Sequence, residues 1–128
     1  MSAIGGIADL KRGEINFESI NKMRIAMTLR GRKRSTAYMG KFVSFVYNSS
    51  KENAFENDED TQPAIFERGG KEYALCVDSS CLYSAALFER YRIDGIDLLG
   101  ALVGDFSLAL YDGDRNMLVL ACDREGKR

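Results

Sequence analysis

The chain has no histidine and no tryptophan, and its three cysteines are an odd number with no Cys-x-x-Cys spacing. Without imidazole there is no Ser/His or Cys/His pair and no histidine-based metal site. The cysteines read as reduced thiols of a cytosolic protein rather than a disulfide framework, so the expected location is cytoplasmic. The formal charge is −1, which gives no global field to attract nucleic acid or an acidic membrane surface. No apolar run approaches the roughly 18 residues of a spanning helix, and the short apolar start lacks the basic region of a signal peptide. Neither nucleic acid nor membrane is therefore an expected partner. No internal repeat or low-complexity segment is evident.

At 128 residues the chain is expected to form one domain, burying roughly two-thirds of its unfolded surface without staples. Residues 1 to 10 read as a strand, followed by the polar turn Lys11-Arg12-Gly13-Glu14. From Asn16 as N-cap, Phe17, Ile20, Met23, Ala26, Met27 and Leu29 recur at the spacing of one helix face, with Gly31 placed to end it. Thr36 to Tyr47 predicts one or two strands, and Asn48 to Gln62 predicts a polar, acid-rich loop with little to bury. Ala64–Phe66 and Glu72–Val77 predict a hairpin whose glycines, Gly69 and Gly70, suit positive φ. Ser79 or Ser80 is the expected cap of a helix with Leu82, Ala85, Ala86 and Leu87 as its apolar side and Gly95 as its exit. A short helical piece, Asp97 to Leu102, leads into the hairpin Phe106–Tyr111, Asp112–Asn116, Met117–Cys122. Strands interleaved with two helices predict an α+β layered fold.

The opening Met1-Ser2-Ala3-Ile4-Gly5-Gly6-Ile7 places a small hydroxyl at the position a processed N-terminus would expose. Such a residue can attack while its own α-amine, titrating near pH 8, serves as base. Chain order adds Leu29-Arg30-Gly31-Arg32, Gln62-Pro63, Leu102-Val103-Gly104-Asp105-Phe106 running on to Asp112, and Leu120-Ala121-Cys122-Asp123-Arg124-Glu125-Gly126. Together these resemble the class II glutamine amidotransferase domain of asparagine-synthetase-like proteins, an N-terminal-nucleophile hydrolase whose pattern begins M-C-G-I-x-G-I. The Gly-Asp-Phe form and Ser2-Ala3-Ile4 lean toward the branches that contain macrolactam synthetases of lasso peptides and β-lactam synthetases.

The resemblance implies an αββα layered sandwich, here shortened, since the family domain is considerably longer and the segment around residues 77 to 83 merges two family motifs. Incomplete sheets leave strand edges for a partner chain to cover, so a homo-oligomer is expected. The family nucleophile is a cysteine, and Ser2 stands in its place. An Asn-Gly pair supplies the family's oxyanion hole, whereas this chain has no Asn-Gly and aligns Asp78-Ser79 there. Asp78 aligns equally with the family's amine-binding aspartate. Arg32 matches a family arginine that holds a neighbouring loop, and only Lys41 lies near the segment that carries the glutamine-binding arginine. A carboxylate repels a developing oxyanion, and losing one donor costs about 10²- to 10³-fold.

The function expected is thus a degenerate amidotransferase-like domain without glutaminase activity, acting as scaffold or partner of an asparagine-synthetase-like, ATP-dependent amide ligase in cis or in trans. The alternative is an N-terminal-serine hydrolase acting on glutamine or another amide through Ser2. No phosphate-binding loop appears, and no metal or cofactor is expected in this chain. The basic cluster Arg30, Arg32, Lys33, Arg34 and the acidic run from Glu52 to Asp60 are expected to be solvated.

Overall fold

The computed structural model describes residues 3–27, 34–49, 62–79 and 82–124. The first unit is a three-stranded antiparallel sheet of β1 (Ala3–Ala8), β2 (Arg34–Met39) and β3 (Val43–Ser49), in the order β1-β3-β2, with helix α1 (Phe17–Ala26) between β1 and β2 in sequence. The second is a four-stranded antiparallel sheet in chain order, β4 (Ala64–Arg68), β5 (Lys71–Ser79), β6 (Phe106–Asp112) and β7 (Met117–Cys122). Helix α2 (Ser84–Asp94) and a 3₁₀ stretch, Gly95–Ala101, connect β5 to β6. The α+β expectation is met.

Strand alternation sends each sheet's side chains to two different interfaces. Between the sheets, Tyr38, Val43 and Phe45 of the first meet Ala74, Cys76, Ala109 and Tyr111 of the second. Small residues on one sheet thereby accept large ones from the other. On the outer face of the second sheet, Leu75, Val77, Leu108 and Leu110 pack with Leu87 and Tyr91 of α2 and with Leu98. β5 and β6 are covered on both faces, which is why they read as nearly unbroken apolar runs. Phe88 adds a stacked contact with Phe66, centroids 4.3 Å apart, and an edge contact with Tyr73 at 5.1 Å.

Helix α1 lies on the outer face of the first sheet. Gly5 points there, and a Cβ at Gly5 would fall 2.7 Å from the sulfur of Met27 and 2.9 Å from that of Met23. Asn16 caps α1 as predicted, its Oδ1 accepting from the Glu18 amide at 2.8 Å. The stack is therefore α1, three-stranded sheet, four-stranded sheet, α2.

Several local expectations are corrected. α1 ends at Ala26 with Met27 as C-cap, and Gly31 lies outside the described residues. Asn48 and Ser49 belong to β3, not to a loop. Asn48 is buried, and its amide donates to the Arg24 carbonyl at 3.2 Å, serving one of the C-terminal carbonyls that α1 leaves unpaired. Gln62 is buried as well. In α2 the apolar side is Leu87, Phe88 and Tyr91 with Ser84, whereas Ala85 and Ala86 are exposed. The helix starts at Ser84, and residues 84, 87, 88 and 91 are the i, i+3, i+4, i+7 stripe of that start. Tyr83 occupies the N-cap position with no side-chain bond, Ser79 accepts from the Leu82 amide ahead of the helix, and Ser80 lies outside the described residues. Gly95 ends α2 at φ 62°, as the sequence predicts.

Candidate functional site at one end of the sheets

Three hydrogen bonds fix how the sheets are aligned. Asn116 in the β6–β7 turn donates to the Leu10 carbonyl just past β1 at 2.7 Å, and the Tyr38 hydroxyl donates to Glu72 at the start of β5. The Thr36 hydroxyl donates to the Gln62 carbonyl, while Gln62 Oε1 accepts from the Val77 amide at 2.9 Å. The ends of β1 and β2 are thereby level with the start of β5. The starts of β1 and β2 share the opposite end with Val77, Asp78, Ser79 and the start of β6. Ala3, opposite Asn48, lies at this end. Ser2 and Arg32 themselves lie outside the described residues.

Asp78 and Ser79 close β5, opposite Ser107 and Phe106 of β6. Asp78 shares the inter-sheet face of β5 with Cys76 and is buried. Burial first, and the Asp78 carboxylate second, push the Cys76 thiol far above its ordinary range, toward the neutral, unreactive form. The Ser79 hydroxyl donates to the Asp105 carbonyl at 2.7 Å and accepts from the Leu82 amide at 3.2 Å. Ser79 is thus a tie between β5, the entry to α2 and the loop before β6.

That loop needs its glycine. Gly104 sits at φ 105°, a backbone conformation that side chains rarely tolerate, and it delivers the Asp105 carbonyl to Ser79. After β7, the Asp123 amide donates to the Phe106 carbonyl at 2.9 Å, and Asp123 Oδ1 accepts from the Phe106 amide at 3.4 Å. Asp123 therefore extends the β6–β7 ladder beyond β7. The loop and the strand end border a cleft of about 860 Å³ whose walls include Leu99, Val103, Asp105, Cys122, Asp123 and Arg124.

Sequence reasoning missed Gln62 as a polar keystone of this end. Its side chain accepts from the Val77 amide and donates to the buried Ser84 hydroxyl, joining β5 to α2. Its sequence signal was Gln62-Pro63 as one motif of the resemblance, at the end of a polar loop, and neither says anything about burial. Missed too was Asp112, a buried carboxylate that accepts from the Tyr91 hydroxyl at 2.6 Å and from the Asp114 and Arg115 amides at 2.9 and 3.0 Å.

Lys41 does not join the candidate site. It follows β2 in the turn to β3, at the far end of the sheets, with its ammonium 5.1 Å from the Phe42 ring centre. Among the described residues no group of three or more His, Cys, Asp or Glu is placed to hold a metal ion. Nor is any helix among them long and apolar enough to cross a membrane. The basic cluster at Arg30, Arg32 and Lys33, the acidic run from Glu52 to Asp60, and Cys81 all lie outside the described residues. Compared with known proteins, the chain matches no protein-family model and no curated sequence.

Proposed function

We propose that this chain is a degenerate class II amidotransferase-like domain of the N-terminal-nucleophile hydrolase type, without glutaminase activity, serving as scaffold or partner of an asparagine-synthetase-like amide ligase. The observation that carries the reading is the chemistry at the end of β5. Where an oxyanion hole would need two donors, Asp78 brings a buried carboxylate and Ser79 donates its hydroxyl to a backbone carbonyl. Acceptors there oppose the negative charge of a tetrahedral intermediate. Two further features support the family assignment. The layers stack helix, sheet, sheet, helix, and β1 starts at the end where Asp78 and Ser79 lie. Lys41, the cation nearest in sequence to the family's α-carboxylate-binding segment, lies at the far end of the sheets from Asp78 and Ser79.

Two measurements test the proposal. Full chain whose initiator methionine has been removed, verified by intact mass, is incubated with glutamine, and released glutamate is compared with that from Ser2→Ala. Equal, background-level release is expected, whereas release above Ser2→Ala would overturn the inactive reading in favour of an N-terminal-serine hydrolase. The chain is also mixed with an asparagine-synthetase-like ligase domain encoded beside it. A gain in that domain's amide-forming rate or thermal stability is expected, and no gain in either would overturn the scaffold role.

A further inference from the structure

The outer edge of β7 is built like the interior of a sheet. β7 is the last strand in the order β4-β5-β6-β7, and among the described residues nothing pairs with its far side. Its sequence, Met117-Leu118-Val119-Leu120-Ala121-Cys122, contains no charge and no proline. Natural edge strands carry charges, prolines or bulges that prevent pairing. Here both faces are apolar instead. Met117, Val119 and Ala121 pack toward α2, while Leu118 faces the other sheet and Leu120, 69% exposed, borders an apolar cleft of about 260 Å³ between β7 and the edge strand β1.

The hydrogen-bond phase of this edge is known. Asp123 and Phe106 are direct partners, so in an antiparallel ladder Ala121, Val119 and Met117 also direct their backbone groups at β6. Leu118, Leu120 and Cys122 therefore turn their N–H and C=O groups outward. A second copy of β7 can pair antiparallel about a two-fold axis only in registers that set these outward residues opposite one another. Centring the axis on Val119 sets Leu118 against the partner's Leu120, twice, and uses nearly the whole strand. In that register the charges flanking the strand are complementary. Asp114 in the turn before β7 comes to the end where the partner's Arg124 emerges, once at each end of the pair, whereas Arg115 is paired with Asp112 of its own chain.

We infer that the occupant of this edge is a second copy of the chain, joined through β7 into a continuous eight-stranded sheet with Val119 on the two-fold axis. The apolar groove beside β7 is closed by the same contact. Charge complementarity at both flanks favours self-pairing over an unrelated strand, and the inference stands independently of the amidotransferase-like reading.

The test is mass measurement by light scattering together with sedimentation equilibrium on the full chain over a range of concentrations. A dimer is expected. Leu120→Lys changes a side chain already in solvent, and it should leave thermal stability of the monomer unchanged while weakening the dimer at least about tenfold, since lysine on an edge opposes pairing. Asp114→Lys and Arg124→Asp should each weaken the dimer roughly fivefold or more at low salt by setting like charges together, and the double variant should restore it. A chain that is monomeric throughout would overturn the inference. So would a dimer indifferent to Leu120→Lys, or one in which the double charge variant is weaker than both singles. Monomers whose Leu118 and Leu120 amides resist hydrogen exchange would show that another part of the same chain occupies the edge, which also overturns it.

Discussion

Replacing Gln62 with alanine tests whether one amide holds β5 to α2. In the folded chain Gln62 Oε1 accepts from the Val77 amide at 2.9 Å, and its Nε2 donates to the Ser84 hydroxyl. Val77, Ser84 and Gln62 are 3%, 1% and 3% exposed, so water does not replace what is removed. A buried amide hydrogen left without an acceptor costs about 1–3 kcal/mol, and loss of a second bond about 0.5–1.5 kcal/mol more. The expected loss for Gln62→Ala is therefore about 1.5–4.5 kcal/mol, a drop in Tm of roughly 5–18 °C for a domain of this size. Urea unfolding followed by circular dichroism should show a lower midpoint at an unchanged slope. Ser84→Ala removes only the partner hydroxyl, and the double variant should reveal coupling of about 0.5–3 kcal/mol. Gln62→Glu keeps the acceptor but buries a charge. Its carboxyl is expected to titrate above the ordinary glutamate range, so its penalty is present at pH 7 and shrinks as the pH falls through that raised value. A loss below about 0.5 kcal/mol for Gln62→Ala would refute the keystone role, because no buried orphan amide is that cheap.

Alkaline stability follows from the buried hydroxyls. Burial, and then its bond to Asp112, pushes Tyr91 from the usual 10 up to about 12. A raised folded pKa contributes stability that is intact below pH 10 and is lost as the pH climbs toward about 12. Tyr38, Tyr73, Tyr111 and Cys76 shift in the same direction, so urea midpoints should fall steadily above pH 9 to 10, and Tyr91→Phe should flatten part of that slope. A midpoint constant to pH 11.5 would contradict this. Two glycines separate cleanly: a Cβ at Gly113 would lie 2.0 Å from the Glu72 carbonyl oxygen, whereas the nearest atoms to one at Gly5 belong to the flexible side chains of Met23 and Met27. Gly113→Ala should cost about 3 kcal/mol or more and Gly5→Ala about 1 kcal/mol or less in the same unfolding assay, and equal costs would show the turn to be free to move. In a Cys81→Ser, Cys122→Ser background, Cys76 should react with a thiol reagent only at the rate of unfolding, and fast labelling of the native chain would disprove its burial.

What the sequence disclosed divides along a physical line. Elements whose signals are local were legible: Asn16 as a cap, Gly69 and Gly70 in a hairpin, Gly95 at a helix exit, and the β6–β7 hairpin. Each depends on one residue's conformational preference or on alternation within one segment. The start of α2 was misjudged because two serines offered capping hydroxyls; Ser79 does accept from the Leu82 amide three residues on, but that bond lies ahead of the helix, which begins only at Ser84. Gln62 and Asn48 were hidden for another reason. A polar residue in a polar stretch gives no sign that it will be buried, since its partners, the Val77 amide, the Ser84 hydroxyl and the Arg24 carbonyl, come from remote elements. The candidate site falls between these cases. Asp78-Ser79 was visible as a departure from a donor pair, but its consequence depended on geometry. Had the Ser79 hydroxyl pointed into open space it would still be a donor for an oxyanion; committed to the Asp105 carbonyl, it holds the loop that Gly104 shapes. Ser79 thus serves the joints between β5, α2 and β6, and such joints tolerate a hydroxyl where the proposed family's oxyanion hole would need a free donor.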